Sequence, residues 1–419
     1  MRGPDRQRAV YLAGVSGTRP RVPADATKLE ARARRAMSRQ AFAYIATGAG
    51  IEATVRSNRE AFDRWKIVPR VLRDVSERDT SVELFGRRIP SPFMLGPVGV
   101  LEMVDRDADM AVARAARRHG VPMVLSNQAS VPMEKVAREL GESPRWFQLY
   151  WSQSNDLVES LVERAEKSGC EAIVVTLDTT LLGWRSRDLD LGYLPFLRGK
   201  GIAQYTSDKV FRRILKEKPA QEAPQPKPTL QALRTLIQLT RAYPGGFLET
   251  LRSGDGRAAV QRYTEIYSRP SLTWEDLPFL RERTKLPILL KGLRHPDDAR
   301  QAVAAGIDGI VVSNHGGRQV DGEIATLDAL PGVVEAVDGR IPVLLDSGVR
   351  GGADIFKALA LGARAVLLGR PYAYGLAIAG EDGVREVIEN FMADFDLTLG
   401  LAGCRSVAEI GRDALVRPG

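Results

Sequence analysis

The sequence predicts an α/β protein built on a (β/α)8 TIM barrel, with an N-terminal helical cap and a long insertion after the fourth strand. Eight short apolar runs between residues 92 and 369 each end in a polar or Gly-rich turn, and a helical pattern follows. The runs are apolar throughout, as strands buried on both faces are. Eight such strands separated by helices indicate a parallel sheet that closes into a barrel.

The spacing of the eight runs indicates one repeated strand–helix unit. The runs end at residues 97, 126, 150, 178, 291, 313, 346 and 369, so the interval from 178 to 291 is several times longer than the others. We therefore expect an insertion in that interval. The predicted strands are Pro92–Pro97, Pro122–Ser126, Trp146–Tyr150, Ala172–Asp178, Pro287–Lys291, Gly309–Ser313, Pro342–Asp346 and Ala365–Gly369.

The insertion, about residues 190–270, is interpreted as a lid, because loops that follow barrel strands open on the catalytic face. Its Pro-rich stretch Lys216–Thr229 is expected to lack regular structure and to be mobile. The stretch Leu230–Arg241 has the pattern of an amphipathic helix. The alternative is that the insertion only forms a contact between subunits.

Residues 1–90 precede the first strand and are expected to form a basic arm and a helical cap, with Ala31–Tyr44 as the clearest helix. Residues 91–419 then form the barrel domain. Residues 1–40 contain ten Lys or Arg against three Asp or Glu, and so hold most of the net charge of +8. Because the excess lies in an arm and not in a groove, we expect no nucleic-acid partner. The alternative is a nucleic-acid or scaffold protein with an inactive barrel.

Composition excludes several further classes. With 44% hydrophobic and 27% charged residues, the chain is typical of a globular protein. Cys170 and Cys404 are the only cysteines, too few for a disulfide framework or a zinc site, so we expect no metal and a reducing cytoplasm. No apolar run approaches the roughly 18 residues of a membrane span, and no secretion signal is recognisable.

The C-terminal ends of barrel strands carry function, and in this sequence they are polar. His315, one of three histidines, lies in the segment Ser313–Gln319 (SNHGGRQ) after the sixth strand. A histidine beside an arginine at a barrel mouth can move a proton while the arginine holds an anion. A solvated loop histidine is the alternative. His119 and His295 stand at helix ends and are interpreted as structural.

Two further charged residues end neighbouring strands. Asp178 ends the fourth strand, two positions round the barrel from His315, so it can pair with the imidazole and is expected to raise its pKa. Lys291 ends the fifth strand, where it can compensate a negative charge on a bound cofactor.

The last two strands end in segments suited to a phosphate, Asp346–Gly352 (DSGVRGG) and Gly369–Pro371 (GRP). Their glycines leave backbone N–H groups accessible, the next helix adds its positive end, and Arg350 and Arg370 supply bidentate donors. The chain has no Gly-rich dinucleotide fingerprint and no Walker segment. The phosphate is therefore expected to belong to a mononucleotide cofactor or a sugar phosphate.

These segments resemble the FMN-dependent enzymes that oxidise L-2-hydroxy acids, such as glycolate oxidase and lactate oxidase. The resemblance runs from about Ala24 to Arg417, and within the family the sequence is most similar to the lactate 2-monooxygenase type. It rests on SNHGGRQ and on five further segments. They are Leu177–Leu189 (LDTTLLGWRSRDL), Pro195–Gly199 (PFLRG), Lys291–Arg300 (KGLRHPDDAR), Asp346–Ala363 (DSGVRGGADIFKALALGA) and Gly369–Gly375 (GRPYAYG).

The resemblance implies an FMN-binding barrel and a role for each matching residue. His315 corresponds to the catalytic base and Asp178 to its partner. Substrate contacts are implied for Arg318 and Arg185, which bind the carboxylate, and for Tyr44 and Tyr150, which are also counted as catalytic. The implied flavin contacts are Pro97, Val98, Gly99, Ser126, Gln148, Thr176, Lys291, Ser313, Asp346, Gly348, Arg350, Gly369 and Arg370.

Three positions depart from parts of the family. Gly99 replaces an alanine of glycolate oxidase and is expected to leave a methyl's worth of room over the flavin. Gln128 replaces a tryptophan of that enzyme, so substrate preference cannot be copied from it. The segment Val320–Gly322 differs from the monooxygenase.

The implied reaction is FMN-dependent oxidation of a small L-2-hydroxy acid by oxygen. We expect a lactate 2-monooxygenase, which converts L-lactate and oxygen to acetate, carbon dioxide and water. The alternatives are an oxidase that releases keto acid and hydrogen peroxide, or a quinone-linked mandelate or lactate dehydrogenase with Leu230–Arg241 on a membrane surface. The family habit implies a homotetramer or homo-octamer.

Overall fold

The computed structural model describes residues 2–217 and 229–417. The Pro-rich segment Lys216–Thr229, predicted to be mobile, lies almost entirely outside these residues. The helices are α1 Gly3–Val15, α2 Ala26–Ala36, α3 Arg39–Ala46, α4 Ala53–Arg64, α5 Ala108–His119, α6 Met133–Leu140, α7 Asn155–Lys167, α8 Ser186–Asp190, α9 Ala203–Thr206, α10 Lys209–Ile214, α11 Leu230–Ala242, α12 Phe247–Ser253, α13 Asp255–Ile266, α14 Leu277–Arg281, α15 Pro296–Ala304, α16 Thr326–Val337, α17 Gly352–Ala360 and α18 Arg370–Leu401.

Eight parallel strands form a closed barrel, as predicted. Going round the barrel the order is β10, β11, β4, β5, β6, β7, β8 and β9, which is simple sequence order closed on itself. Each predicted run contains one of these strands or overlaps it by most of its length. The strands are β1 Lys66–Ile67, β2 Val82–Leu84, β3 Arg87–Ile89, β4 Phe93–Leu95, β5 Met123–Leu125, β6 Arg145–Leu149, β7 Ile173–Thr176, β8 Ile288–Leu293, β9 Gly309–Val312, β10 Val343–Leu345, β11 Ala365–Leu368 and β12 Leu415–Val416.

Alternate residues of the barrel strands point to two apolar cores. One set, including Met94, Val174 and Leu344, fills the barrel interior. The other set, including Leu95, Val175 and Leu345, packs against the helices outside the sheet. Burial on both faces explains why the strands are apolar without alternation.

A β-hairpin closes the N-terminal end of the barrel. Strands β2 and β3 pair antiparallel, and Val82, Leu84 and Ile89 pack into the interior core. The turn uses Gly86 at φ +75°. The helical cap expected for residues 1–90 therefore does not include this segment, because its alternating pattern is that of a strand pair with one buried face.

The cap segment contains two helices where one was predicted over Ala31–Tyr44. Met37 is extended at φ −94°, ψ 152° and ends α2, and the Ser38 hydroxyl accepts the Ala41 N–H to begin α3. A serine N-cap competes with the continuation of the preceding helix. Upstream, α1 packs on α18, where Arg6 pairs with Glu389 at 2.8 Å.

The insertion between β7 and β8 is mainly helical. It includes α11, which confirms the helix predicted over Leu230–Arg241, and Thr229 caps its first turn. Helix α11 packs on α13, while Leu230 and Leu233 are exposed. No helix within residues 2–217 and 229–417 is long and apolar enough to cross a bilayer.

A tyrosine on α18 holds the C-terminal end of β4, the first strand of the barrel. The buried Tyr372 hydroxyl donates to the Gly96 carbonyl at 2.8 Å. Replacing Tyr372→Phe leaves that carbonyl without this donor, and we expect the free energy of unfolding to fall by about 1–2 kcal/mol in a urea titration. Tyr11→Phe, at a side chain that is 71% exposed, is the control. Equal stability of the Tyr372→Phe protein and the parent would contradict the assignment.

Candidate active site

A cavity opens at the C-terminal ends of the barrel strands. Most of the residues singled out from the sequence line it. They are Tyr44, Pro97, Val98, Gly99, Ser126, Gln148, Tyr150, Arg185, Lys291, His315, Arg318, Asp346, Gly348, Arg350, Gly369 and Arg370. The structure places Thr176, Asp178 and Ser313 in hydrogen bonds to these lining side chains.

An aspartate–histidine pair joins the ends of two strands. His315 Nδ1 lies 2.9 Å from Asp178 Oδ1, which confirms the predicted pairing between the strands β9 and β7. The Ser313 hydroxyl accepts the His315 N–H, and His315 itself is left-handed at φ +55°. The flanking Gly316 N–H donates to the Ser347 hydroxyl, so the turn that carries the imidazole is fixed on both sides.

The protonation states follow from burial and charge. Burial lowers the pKa of His315. Asp178 acts in the expected direction and raises it, but burial outweighs this effect and the net pKa lies below the ordinary value. For Asp178, burial favours the acid, but His315 and Lys291 outweigh it and lower the pKa of the carboxyl. At neutral pH a neutral imidazole therefore donates Nδ1–H to the carboxylate, which leaves Nε2 as an acceptor towards the cavity.

Two buried guanidinium groups stand beside this imidazole. Arg318 Nη1 donates to the carbonyls of Tyr44 at 2.6 Å and Thr47 at 3.2 Å, and Arg185 Nη2 donates to Gln319 Oε1 at 3.1 Å. Burial and the charge of Arg185 lower the pKa of Arg318 to about 9. Neighbouring buried cations favour a bound anion, and a carboxylate matches their geometry.

A ring of polar side chains follows the neighbouring strand ends. Ser126 on the β5 side donates to Gln148 Oε1 at 3.1 Å, and Gln148 Nε2 donates to Thr176 Oγ1 at 3.1 Å. Further round, Lys291 Nζ lies 2.8 Å from Ser313 Oγ and 3.0 Å from Asp346 Oδ2. Burial disfavours the ammonium, but Asp346 and Asp178 outweigh it and raise the pKa of Lys291. The ring combines donors and acceptors that a flavin ring system can bind.

A second pair of arginines, Arg350 and Arg370, also lines the cavity. Arg370 Nη1 donates to the Gly316 carbonyl at 2.8 Å, and Nη2 donates to the Thr47 carbonyl at 2.9 Å. Burial and the charge of Arg370 lower the pKa of Arg350 to about 10. Gly348, at φ +91°, has no room for a Cβ, which would stand 2.7 Å from the Asn58 carbonyl oxygen. This crowded, cationic corner fits a phosphate.

One expected phosphate donor is already used. The Gly352 N–H at the start of α17 donates to the Asp394 carboxylate. The positive end of α17, which the sequence suggested for the phosphate, is therefore partly neutralised within the protein. The arginine pair and the start of α18 are left as the cationic groups of this corner.

The expectation of free space at Gly99 is wrong. A Cβ at that position would stand 2.9 Å from Gln128 Cβ and 3.0 Å from the Gln128 carbonyl oxygen. Gln128 in turn donates through Nε2 to the Tyr263 hydroxyl at 2.8 Å. The glycine is needed for close packing against Gln128, and Gln128 connects the barrel mouth to the insertion.

Sequence reasoning missed several residues of the cavity wall. Phe196 lies in the segment Pro195–Gly199, which supported the resemblance without being given a site role. Tyr263 and Tyr267 reach the cavity from the insertion, where no local pattern marks them. Ser347 could have been found, since it stands in the Gly-rich segment after β10 and accepts the Gly316 N–H.

The chain was compared with known proteins. A family model described as FMN-dependent dehydrogenase matches residues 33–417. The chain is 44% identical over 412 residues to the FMN-dependent alpha-hydroxy acid dehydrogenase qulF of Penicillium citrinum. The aligned region covers 98% of this chain and 95% of that protein. The chain is 41% identical over 376 residues to the L-lactate oxidase of Lysinibacillus sphaericus, covering 90% and 88%.

Solved structures agree with these sequence matches. The crystal structure of mandelate oxidase with (S)-4-hydroxymandelic acid matches with a TM-score of 0.77 at 36% identity, covering 94% of this chain and 98% of that one. The fold and the site thus define an FMN-dependent α-hydroxy acid oxidoreductase. This chain belongs to the FMN-dependent dehydrogenase family.

The residues present fit FMN. The polar ring from Ser126 to Asp346 can hold the isoalloxazine and the ribityl chain, and Arg350 and Arg370 can hold the phosphate. The buried guanidinium groups are the observation that tests the fit, because a phosphate supplies the negative charge that this corner lacks.

We expect Arg350→Gln to weaken FMN binding about 10- to 100-fold, the loss of one charge-assisted hydrogen bond. Flavin fluorescence quenching on titration of the apoprotein measures the dissociation constant. Arg32→Gln, at an exposed position on α2, is the charge-matched control and should bind as the parent does. Parental affinity in the Arg350→Gln protein would exclude Arg350 from the phosphate site.

Proposed function

We propose that this chain oxidises a small L-2-hydroxy acid such as L-lactate, and that it acts as a lactate 2-monooxygenase. One observation carries the chemistry: the neutral His315, held by Asp178, stands beside two buried guanidinium groups. A proton acceptor next to a carboxylate site is what a 2-hydroxy acid requires, and this arrangement supports the proposal.

Substrate binding and proton transfer follow from the residues. Arg318 and Arg185 bind the carboxylate, and the hydroxyls of Tyr44 and Tyr150 orient the neighbouring groups. Burial raises the pKa of both phenols, so they remain protonated donors. His315 Nε2 accepts the proton that leaves the substrate. FMN, when bound, would supply the two-electron acceptor for this oxidation, with oxygen as the final acceptor in the proposed reaction.

Asp178 makes that proton transfer feasible. A buried imidazole is a weaker base than one in water, because its charged form is poorly solvated. The carboxylate at 2.9 Å compensates the imidazolium as it forms. General base catalysis of this kind contributes roughly 100- to 10,000-fold.

Retention of the product is the basis for proposing a monooxygenase. The aromatic rings of Phe196 and Tyr263, both from the insertion, pack with their centroids 5.4 Å apart, and the Phe196 centroid lies 6.3 Å from that of Tyr44 in the cap. We call Phe196 and Tyr263 the roof of the cavity. The hydrogen bond from Gln128 to Tyr263 connects this roof to the barrel. A 2-keto acid held under the roof meets the peroxide formed from oxygen, and the two yield the shorter acid, carbon dioxide and water.

The second candidate is an oxidase that releases the keto acid and hydrogen peroxide. The name of the relative from Lysinibacillus sphaericus favours it. Both candidates share the first half-reaction and differ only in when the keto acid leaves. A dehydrogenase with another electron acceptor is supported by the name of the Penicillium citrinum relative and by the exposed Leu230 and Leu233.

His315→Ala should lower the rate of anaerobic flavin reduction by L-lactate by at least 100-fold, because the proton acceptor is lost. Stopped-flow bleaching of the flavin absorbance measures the rate, and the bound FMN per protein should stay at the parental value. His295→Ala, at the exposed start of α15, is the matched control. Bleaching of the His315→Ala protein at the parental rate would refute the role of His315.

Aerobic turnover with L-lactate should give acetate as the main product, and Tyr263→Phe should raise the share of free pyruvate and peroxide because the roof loses its hydrogen bond to Gln128. Chromatography and a peroxidase assay quantify the products. Tyr243→Phe, in the same insertion but outside the cavity wall, should keep the parental ratio. Stoichiometric pyruvate and peroxide from the parent protein would assign the chain to the oxidases.

A further inference from the structure

A partly buried ion pair that the proposed reaction does not use lies next to the catalytic pair. Arg294 Nε is 3.0 Å from Glu323 Oε2, and the two side chains are 25% and 10% exposed. Arg294 follows β8, and Glu323 lies in the loop after β9. Glu323 Oε1 is buried and has no hydrogen-bond partner within the described residues.

Arg294 connects two strand ends. The register between β8 and β9 shifts between Lys291 and Leu293, so Gly292 bulges out of the ladder at φ +112°. Arg294 Nη1 donates to the carbonyl of Gly292 at 2.6 Å and to that of Ser313 at 2.7 Å. One guanidinium nitrogen thus fixes the bulge relative to the end of the next strand.

These two strand ends hold the catalytic pair in place. A Cβ on Gly292 would stand 2.9 Å from Asp178 Cβ, so the bulge is the surface against which Asp178 packs. The Ser313 hydroxyl contacts both Lys291 Nζ and the His315 N–H. A displacement of Arg294 would therefore be transmitted to both members of the pair.

The charges of this region are coupled. Burial raises the pKa of Glu323 to about 7, with Arg294 opposing the shift and Asp178 adding to it. Arg294 is in turn one of the cations that lower the pKa of Asp178. The charged and titratable groups around the catalytic pair are Asp178 and Arg185 after β7, Lys291 and Arg294 on and after β8, His315 and Glu323 after β9, and Asp346 after β10.

We propose that Arg294 and Glu323 are a positioning pair that fixes Asp178 and His315 and makes the strength of the base depend on the charge of Glu323. The inference rests on the proposed role of His315 as the base. When Glu323 is ionised it neutralises Arg294, so the imidazolium that forms on His315 is better tolerated. When Glu323 is protonated, the charge of Arg294 is uncompensated and the base is weaker.

The decisive variant is Glu323→Gln, which keeps the shape and removes the charge. In the parent, the rate of anaerobic flavin reduction by L-lactate should rise about threefold through an inflection near pH 7, a change of the size expected for a charge several ångströms away. Glu323→Gln should lack this inflection, matching the parent at pH 6 and falling about threefold below it at pH 8. Arg294→Gln should move the inflection to higher pH, because the carboxylate loses its counter-ion.

Controls separate this tuning from a merely structural role. Glu323→Asp should keep an inflection, and Arg6→Gln, which breaks the buried pair with Glu389 between α1 and α18, should give the parental profile. A Glu323→Gln rate lower by one constant factor at every pH, or an inflection retained in that variant, overturns the proposal. Loss of the inflection in Glu323→Asp with FMN still bound also contradicts it.

A second readout does not depend on turnover. The pKa of Glu323 is raised on folding, so the folded protein holds an extra proton between about pH 4.5 and 7, and this group makes the protein less stable as pH rises through that window. The urea concentration at the unfolding midpoint of the parent, relative to that of Glu323→Gln, should therefore decrease as the pH rises from about 4.5 to about 7. A difference independent of pH counts against the proposal. Failure of His315→Ala to slow reduction would instead reject the proposed function itself.

Discussion

A neutral imidazole has to be maintained in a cavity that also contains buried cations, and the remaining features of the site follow from that constraint. Burial and the charges of Lys291 and Arg185 all disfavour a proton on His315. Asp178 is the group that opposes them, at 2.9 Å and on a strand separated from β9 only by β8. The closed barrel makes this possible, because it brings residues far apart in sequence to adjacent strand ends with little freedom to separate.

The cap is the second element on which the site depends. The carbonyl of Thr47 accepts hydrogen bonds from both Arg318 and Arg370, the first assigned to the substrate carboxylate and the second to the cofactor phosphate. The segment that precedes the barrel thus orients both anion sites through backbone atoms. The loop after β9 is fastened to the same segment, since Asp321 accepts the N–H groups of Ile51 and Thr54. Substrate and cofactor binding are therefore expected to respond together to changes in the cap.

The sequence was sufficient for the barrel and for most of the cavity wall, since buried parallel strands and polar strand ends leave strong local patterns. The sequence was insufficient where packing between distant segments determines the local structure. The close contact between Gly99 and Gln128 is such a case. The hairpin at Val82–Ile89 and the helix break at Met37 instead have local causes, an alternating strand pattern and the Ser38 N-cap, which the prediction overlooked. The effect of Asp178 on the pKa of His315 was predicted with the right sign, but the larger effect of burial was not, because burial cannot be judged from the pairing of two residue types.

The most direct test of this account is the protonation state of His315 in the FMN-bound enzyme. With three histidines in the chain, ¹⁵N labelling of the imidazoles gives three pairs of ring-nitrogen signals, and His315→Gln identifies the pair of interest. At pH 7 we expect a neutral ring with the proton on Nδ1 and an unprotonated Nε2. An imidazolium, or a ring protonated on Nε2, would contradict the account.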